Sequence, residues 1–338
     1  MTSDNRSITT QDRKISIVFN NNSEPIQPPE PNESMNNSIS EEFPEAFNEL
    51  DDMIGLDEVK QIVFEIYAML RVQKIRQAEG LQANSQVYHM IFSGNPGTGK
   101  TTVARIVAKM FHQLGVISKG HLLEVDRADL VGEYIGHTAQ KTREVVKKAM
   151  GGVLFVDEAY SLARGGEKDF GKEAIDCLVK LMEDRRNDFI LIIAGYPREM
   201  NDLLELNTGL PSRFAMHVDF PDYSIDELIK ILLKMAFEKE YVIQPSAIDK
   251  IKEYIVKEKE IKQNFSNARF IRNMLEKAIR NHAVRITRKL SSVKINKSNL
   301  INLTNEDFHY FEKNDTAPSQ TVDPFDRYIN LLTKDSRY

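Results

Sequence analysis

Gly94-Asn95-Pro96-Gly97-Thr98-Gly99-Lys100-Thr101 decides how the rest of this 338-residue chain is read. An apolar run from Val87 to Phe92 precedes it and a helix-like segment from Thr102 to Leu114 follows. Strand, glycine loop and helix therefore come in the order that a phosphate-binding P-loop requires. In such a loop the backbone N–H groups converge on the phosphates, and the positive end of the following helix dipole favours the same negative charge. Asn95 to Thr102 are thus the expected nucleotide-binding segment. Lys100 would neutralise the β- and γ-phosphates, and the Thr101 hydroxyl would be offered to Mg²⁺.

The second half of such a site is expected at Gly151-Gly152-Val153-Leu154-Phe155-Val156-Asp157-Glu158, an apolar strand ending in two carboxylates. In an open α/β sheet, ligands sit outside the carboxyl ends of the strands. Asp157 would hold Mg²⁺ and its waters, and Glu158 would polarise a water for in-line attack on the γ-phosphate. An acidic pair closing a strand is weak testimony alone, since a helix cap looks the same. After a P-loop it becomes strong.

Further short apolar runs, His121 to Val125, Phe189 to Ala194 and Met216 to Phe220, alternate with helical patterns. That is the pattern of a parallel sheet covered on both faces. An amphipathic helix with Val59, Ile62, Val63, Ile66, Met69 and Leu70 at three- and four-residue spacing precedes the sheet and ends at Gly80. After Pro221 the strands stop. Ser224 to Lys239, Pro245 to Lys257 and Ser266 to Arg288 read as helices, the last with Ile271, Met274, Leu275, Ala278, Ile279 and Ile286 along one face. The expected organisation is a disordered, Asn-, Ser- and Pro-rich arm over 1–43, an α/β domain over 44–221, a small all-helical domain over 222–311 and a polar tail over 312–338.

Composition excludes more than it selects. With 45 basic and 50 acidic residues the net charge is −5, which argues against nucleic-acid binding through overall charge. The one cysteine, Cys177, rules out an internal disulfide and, among Ile175, Leu178 and Leu181, reads as core filler. The seven histidines show no metal spacing. No run is long enough to cross a bilayer and Met1 opens no leader, so the expected location is cytoplasmic, without membrane insertion.

From about Phe47 to about Phe308 the chain resembles the AAA+ ATPases, and within them the clade of stage V sporulation protein K and the red-type Rubisco activase. The resemblance is carried by Asp129-Leu130-Val131-Gly132-Glu133-Tyr134-Ile135-Gly136-His137-Thr138, by Asp157-Glu158-Ala159-Tyr160-Ser161-Leu162 and by Asp169-Phe170-Gly171-Lys172-Glu173-Ala174-Ile175. Longer blocks such as Ala163 to Lys168 lie nearer the sporulation side of that clade. It implies a P-loop NTPase α/β domain followed by a helical lid, a hexameric ring, and ATP bound between subunits.

Position by position, the resemblance places Ile54 and Gly55 against adenine. It makes Arg213, in Gly-Leu-Pro-Ser-Arg-Phe, the arginine finger that reaches a neighbour's γ-phosphate, and Arg269, in Ser-Asn-Ala-Arg, the lid arginine that senses nucleotide. Arg272, one turn later, is the alternative to Arg269. Many relatives end the fourth strand with an Asn or Thr that positions water. Here Ile193-Ala194-Gly195-Tyr196 stands instead, and Tyr196 is open between that role and packing.

Tyr134-Ile135-Gly136, in the loop after the second strand, is where a ring would present an aromatic grip to its axis. The leading expectation is therefore an ATP-driven remodeller that pulls a protein client through a central pore, in sporulation. An activase-like remodeller is the alternative within that class. A nucleic-acid motor would draw on Arg143, Lys147 and Lys148, which read rather as the solvated face of a helix. A scaffold that binds nucleotide but scarcely hydrolyses it is opposed by the presence of Glu158 and Arg213.

Overall fold

A computed structural model describes residues 45–82, 87–134, 136–164, 169–206, 209–262, 264–289 and 296–312. The expected arm and the tail beyond residue 312 lie outside them. Five parallel strands, β1 (Met90–Gly94), β2 (Leu122–Val125), β3 (Val153–Val156), β4 (Ile190–Gly195) and β5 (Met216–Phe220), form one sheet in the order β2-β3-β4-β1-β5.

The two-residue period of the strands sorts the core into two layers. Met90, Phe92, Val153, Phe155, Ile190 and Ile192 point to one face, against the helices α1 (Glu45–Asp51), α2 (Asp57–Ala78) and α3 (Lys100–Gln113). Ile91, Leu154, Val156, Leu191 and Ile193 point to the other, against α4 (His137–Ala149), α5 (Gly171–Asp184) and α6 (Pro197–Leu206). Every residue of β3 and β4 is buried, which is why their sequences run without polar alternation. The edge strand β5 does alternate, leaving His217 and Asp219 exposed.

Several boundaries differ from the sequence reading, among them Ile261 rather than Lys257 as the end of the helix that begins at Pro245, and two of them flank the glycine loop. The first strand begins at Met90 rather than Val87. At His89 the ring Nδ1, not a backbone carbonyl, accepts the Leu191 amide at 2.9 Å. Helix α3 starts at Lys100, inside the glycine loop, rather than at Thr102. A short helix, α1, which the sequence reading did not single out, packs Ala46, Phe47 and Leu50 into the core.

Beyond β5 come α7 (Ile225–Glu238), α8 (Pro245–Ile261) and α9 (Asn267–Lys289), followed by α10 (Lys297–Ile301) and a 3-10 segment, Asn305–Glu312. Helix α7 opens with a reciprocal cap between Ser224 and Glu227. This region also holds one parallel pairing, Val242–Ile243 against Asn302–Leu303. Leu228, Ile251, Ile271, Leu275 and Phe308 belong to the same buried cluster as the first face of the sheet, so apolar packing runs without a break from sheet to lid.

Candidate nucleotide site

The glycine loop lies between β1 and α3, and its backbone is shaped by what packs on it. Gly97 has φ +71°, and a Cβ there would come within 2.8 Å of the Arg269 amide and run into the Ser266 carbonyl. Only glycine lets the start of α9 come that close. The Ala268 N–H donates to the Gly97 carbonyl at 3.1 Å, and the Tyr223 hydroxyl donates to the Thr98 carbonyl at 3.2 Å. Thr98 is fully buried and its own hydroxyl donates to the Asn95 carbonyl at 2.8 Å.

A cavity of about 270 Å³ opens beside this loop at the carboxyl ends of the strands. Pro96, Gly97, Gly99, Lys100, Thr101 and Thr102 line one side, Asp157 and Glu158 come from the end of β3, and Gly195 and Tyr196 from the end of β4. Ala268, Arg269 and Arg272 close it from the lid. Both candidate lid arginines therefore face the same space.

Lys100 Nζ donates to the carbonyls of Gly94 at 2.7 Å and Asn95 at 2.8 Å. Burial pulls its pKa down to about 8, Arg269 adds to that shift, and the carboxylates of Asp157, Asp222 and Glu158 oppose it. Asp157 Oδ1 accepts the Glu158 amide at 3.0 Å, and Glu158 sits in a left-handed backbone, φ +47°. Such strain in a non-glycine residue clusters at functional sites.

The Thr101 hydroxyl and the Asp157 carboxylate are hard oxygen donors on one cavity and suit Mg²⁺. Among the described residues no group of three or more His, Cys, Asp or Glu could hold a metal by itself. A cation held by Thr101 and Asp157 would take its remaining ligands from phosphates and water.

Sequence reasoning left Tyr160 without a role. Its ring lines the cavity, stacks on Tyr196 with centroids 5.4 Å apart, and lies 4.4 Å under the Arg164 guanidinium. Burial, then the nearby Glu158 carboxylate, pushes the Tyr160 phenol above its usual range. The open question at Tyr196 thus has a packing component: it is the partner of Tyr160.

The other expected residues lie outside the cavity lining. Ile54 and Gly55 stand just before α2. Gly55 has φ +63°, and a Cβ there would run into the Glu227 carboxylate of α7. Their neighbours Met53 and Leu56 approach Gly99 of the loop. Arg213 lies away from the cavity: Nη1 donates to the Gly209 carbonyl at 2.7 Å and Nη2 to Glu183 Oε2 at 2.8 Å. Tyr134 is 65 % exposed and meets His137 edge-on at 5.5 Å, while Gly136, φ +83°, caps α4. Ile135 lies outside the described residues. Cys177 is half-buried, its thiol donating to the Ala139 carbonyl at 3.7 Å across the α4–α5 contact, and burial pushes its pKa up.

Residues 90–222 match the family described as ATPase family associated with various cellular activities (AAA), and residues 224–319 match the AAA lid domain. The chain is 52 % identical over 271 residues to stage V sporulation protein K of Bacillus subtilis (strain 168), covering 80 % of this chain and 83 % of that protein. It is 46 % identical over 265 residues to the chloroplastic ribulose bisphosphate carboxylase/oxygenase activase of Cyanidioschyzon merolae (strain NIES-3377 / 10D), covering 78 % and 90 %. In fold it is similar to the crystal structure of the FIGL-1 AAA domain, with a TM-score of 0.54 at 18 % identity, covering 84 % of this chain and 88 % of that one.

Proposed function

The chain belongs to the AAA ATPase family, in the clade of stage V sporulation protein K and the red-type activases, and from that premise we propose that it hydrolyses ATP at the loop cavity to remodel a protein client. The observation that carries the reading is the convergence of Lys100, Thr101, Asp157, Glu158 and Arg269 on one cavity at the strand ends.

In this reading the loop amides and the Lys100 ammonium hold the β- and γ-phosphates, with Ile54 and Gly55 on the adenine side. Thr101 and Asp157 would hold Mg²⁺, which would supply positive charge against that developing on the phosphates. The Glu158 carboxylate takes a proton from water as its oxygen attacks the γ-phosphorus in line with the bond to ADP, which leaves together with inorganic phosphate.

The rest of the reading concerns assembly and client. The working form is a hexameric ring in the cytoplasm, in which Arg213 of one subunit completes the site of the next. The exposed Tyr134 ring, with Ile135 and Gly136, grips polypeptide at the axis, because a broad rigid aromatic contacts varied side chains without sequence-specific hydrogen bonds. The 52 % identity to the sporulation protein supports a client in that process, and the 46 % identity to the chloroplastic activase supports an activase-like client as the second reading. Arg143, Lys147 and Lys148 lie on the solvated face of α4, and nucleic acid is not expected as a partner.

The test is steady-state turnover of the full chain with Mg-ATP. Lys100→Ala should lose nucleotide binding, and Glu158→Gln should bind ATP but lose hydrolysis; full turnover in Glu158→Gln would remove the assigned base. Proteins retained by the Glu158→Gln chain in cells would identify the client. Tyr134→Ala should keep basal turnover and melting temperature and lose client stimulation, and an undiminished stimulation would sink the pore reading.

A further inference from the structure

The short linker between sheet and lid is fastened to the glycine loop by side chains whose chemistry the ATPase reading does not use. Asn95 Nδ2 donates to both carboxylate oxygens of Asp222, at 3.0 and 3.1 Å. Asp222 Oδ1 also accepts from Nδ2 of Asn267 at 2.7 Å. Asn267 is fully buried. Its Nδ2 further reaches the carbonyls of Phe265 at 2.9 Å and Pro96 at 3.4 Å, and its Oδ1 accepts the Tyr223 amide at 3.1 Å. One amide side chain thus touches the glycine loop, the linker and the lid.

Its backbone is unusual as well. Asn267 opens helix α9 at φ +41°, in the left-handed region that costs a non-glycine residue about 1–3 kcal/mol. Asparagine tolerates that region better than most residues, and it alone combines two N–H donors with a carbonyl acceptor on so short a side chain. Aspartate would offer no donor to Asp222 or to the two carbonyls, and alanine would leave all four partners without it. Immediately after it, Ala268 bonds the Gly97 carbonyl, and Arg269 and Arg272 follow into the cavity.

We propose that Asn267 is a positioning residue for nucleotide binding: through Asp222 and Asn95 it locks the start of the arginine-bearing lid helix onto the glycine loop. The proposal rests on the reading of the cavity as a nucleotide site. Arginine side chains are long and rotamer-rich, so where their guanidinium groups can reach is set by where the helix begins. Because one buried amide bonds both linker and loop, a lid that tilts away breaks its bonds to Asp222, Tyr223 and Pro96 together, so loop and lid have a docked and an undocked arrangement rather than a graded series.

The experiment is the dissociation constant of a fluorescent ADP analogue, measured on the full chain beside a thermal melt. Asn267→Ala should weaken binding by about tenfold or more in the otherwise natural chain, and by less than about threefold in an Arg269→Ala, Arg272→Ala background, because its effect passes through those arginines. The same loss in both backgrounds, or no loss in either, overturns the proposal. Should Asn267→Ala fail to fold, Asn95→Ala cuts the same relay at its half-exposed loop end. It should weaken binding by about threefold or more with the same collapse in the double-arginine background, and equal losses in both backgrounds overturn the proposal just as well. The two readings fail differently: a natural chain that binds no nucleotide refutes the site itself, whereas natural affinity in the folded Asn267→Ala chain refutes only the relay.

Discussion

Lys100 shows how one residue's surroundings set what it can do. Half-buried at the loop, it holds a pKa of about 8, so it is charged below that pH and loses its proton above it, well before a solvated lysine would. Nucleotide phosphates favour the ammonium, and binding must therefore restore the proton wherever the free protein has lost it. Two outcomes follow for the proposed site. Affinity should fall by up to about tenfold per pH unit above about pH 8. Binding at about pH 9 should also take up close to one proton, read as a dependence of calorimetric enthalpy on the buffer's ionisation enthalpy. In Lys100→Arg, whose guanidinium stays charged, the uptake should vanish. If Lys100→Arg takes up the same proton, some other group is its source.

At the scale of elements, the lid is closed by an ion pair rather than by helix packing alone. Arg285 of α9 reaches the Asp307 carboxylate twice, Nε to Oδ1 and Nη2 to Oδ2, both at 2.8 Å. Asp307 has no exposed surface, and its Oδ2 also accepts the Thr304 amide at 2.7 Å. Those hydrogen bonds to Asp307 raise the Arg285 pKa further. Asp307→Ala leaves the guanidinium of Arg285, itself little exposed, without its carboxylate, and removal of one partner from such a pair costs about 3–5 kcal/mol. In urea unfolding the single variant should lose that much, while Arg285→Ala with Asp307→Ala should lose less than the single variant. Equal losses would mean that the pair holds nothing beyond its shape. The pair, with the burial of Phe308, ties the 3-10 segment Asn305–Glu312 to α9.

For the whole molecule, the residue that matters most to the proposed ring is the one that does nothing for its own cavity. Arg213 bonds Glu183, whose side chain is 70 % exposed, and such an ion pair holds at most about 1 kcal/mol. Redirecting the guanidinium to a neighbouring subunit costs that pair and the bond to the Gly209 carbonyl, the latter about 1.5–3 kcal/mol, whereas an arginine finger supplied to the next site can be worth about 10³ to 10⁵ in rate. Specific activity should rise with protein concentration, and inactive Arg213→Ala subunits should regain turnover when mixed with inactive Lys100→Ala subunits, since mixed neighbours share one intact site. A dilute monomer that turns over as fast as the concentrated protein would defeat the shared-site arrangement.

The sequence by itself determined what repeats locally. The glycine loop needs glycines at set offsets, a strand buried on both faces reads as an unbroken apolar run, and a helix declares its face every three or four residues; so β3, β4, α3 and α9 were all legible, as was the placing of Lys100, Thr101, Asp157 and Glu158 around one cavity. The order of the sheet, with β4 between β1 and β3, has no such periodic trace. Nor has the start of β1, which a histidine ring shifts to Met90. The stacking of Tyr160 on Tyr196 and the meeting of Asn95, Asp222 and Asn267 were decided only in three dimensions. The physical reason is the same each time: these are single polar or aromatic groups, with no periodicity to announce them, whose partners are chosen by satisfying buried donors and acceptors across elements far apart in the chain.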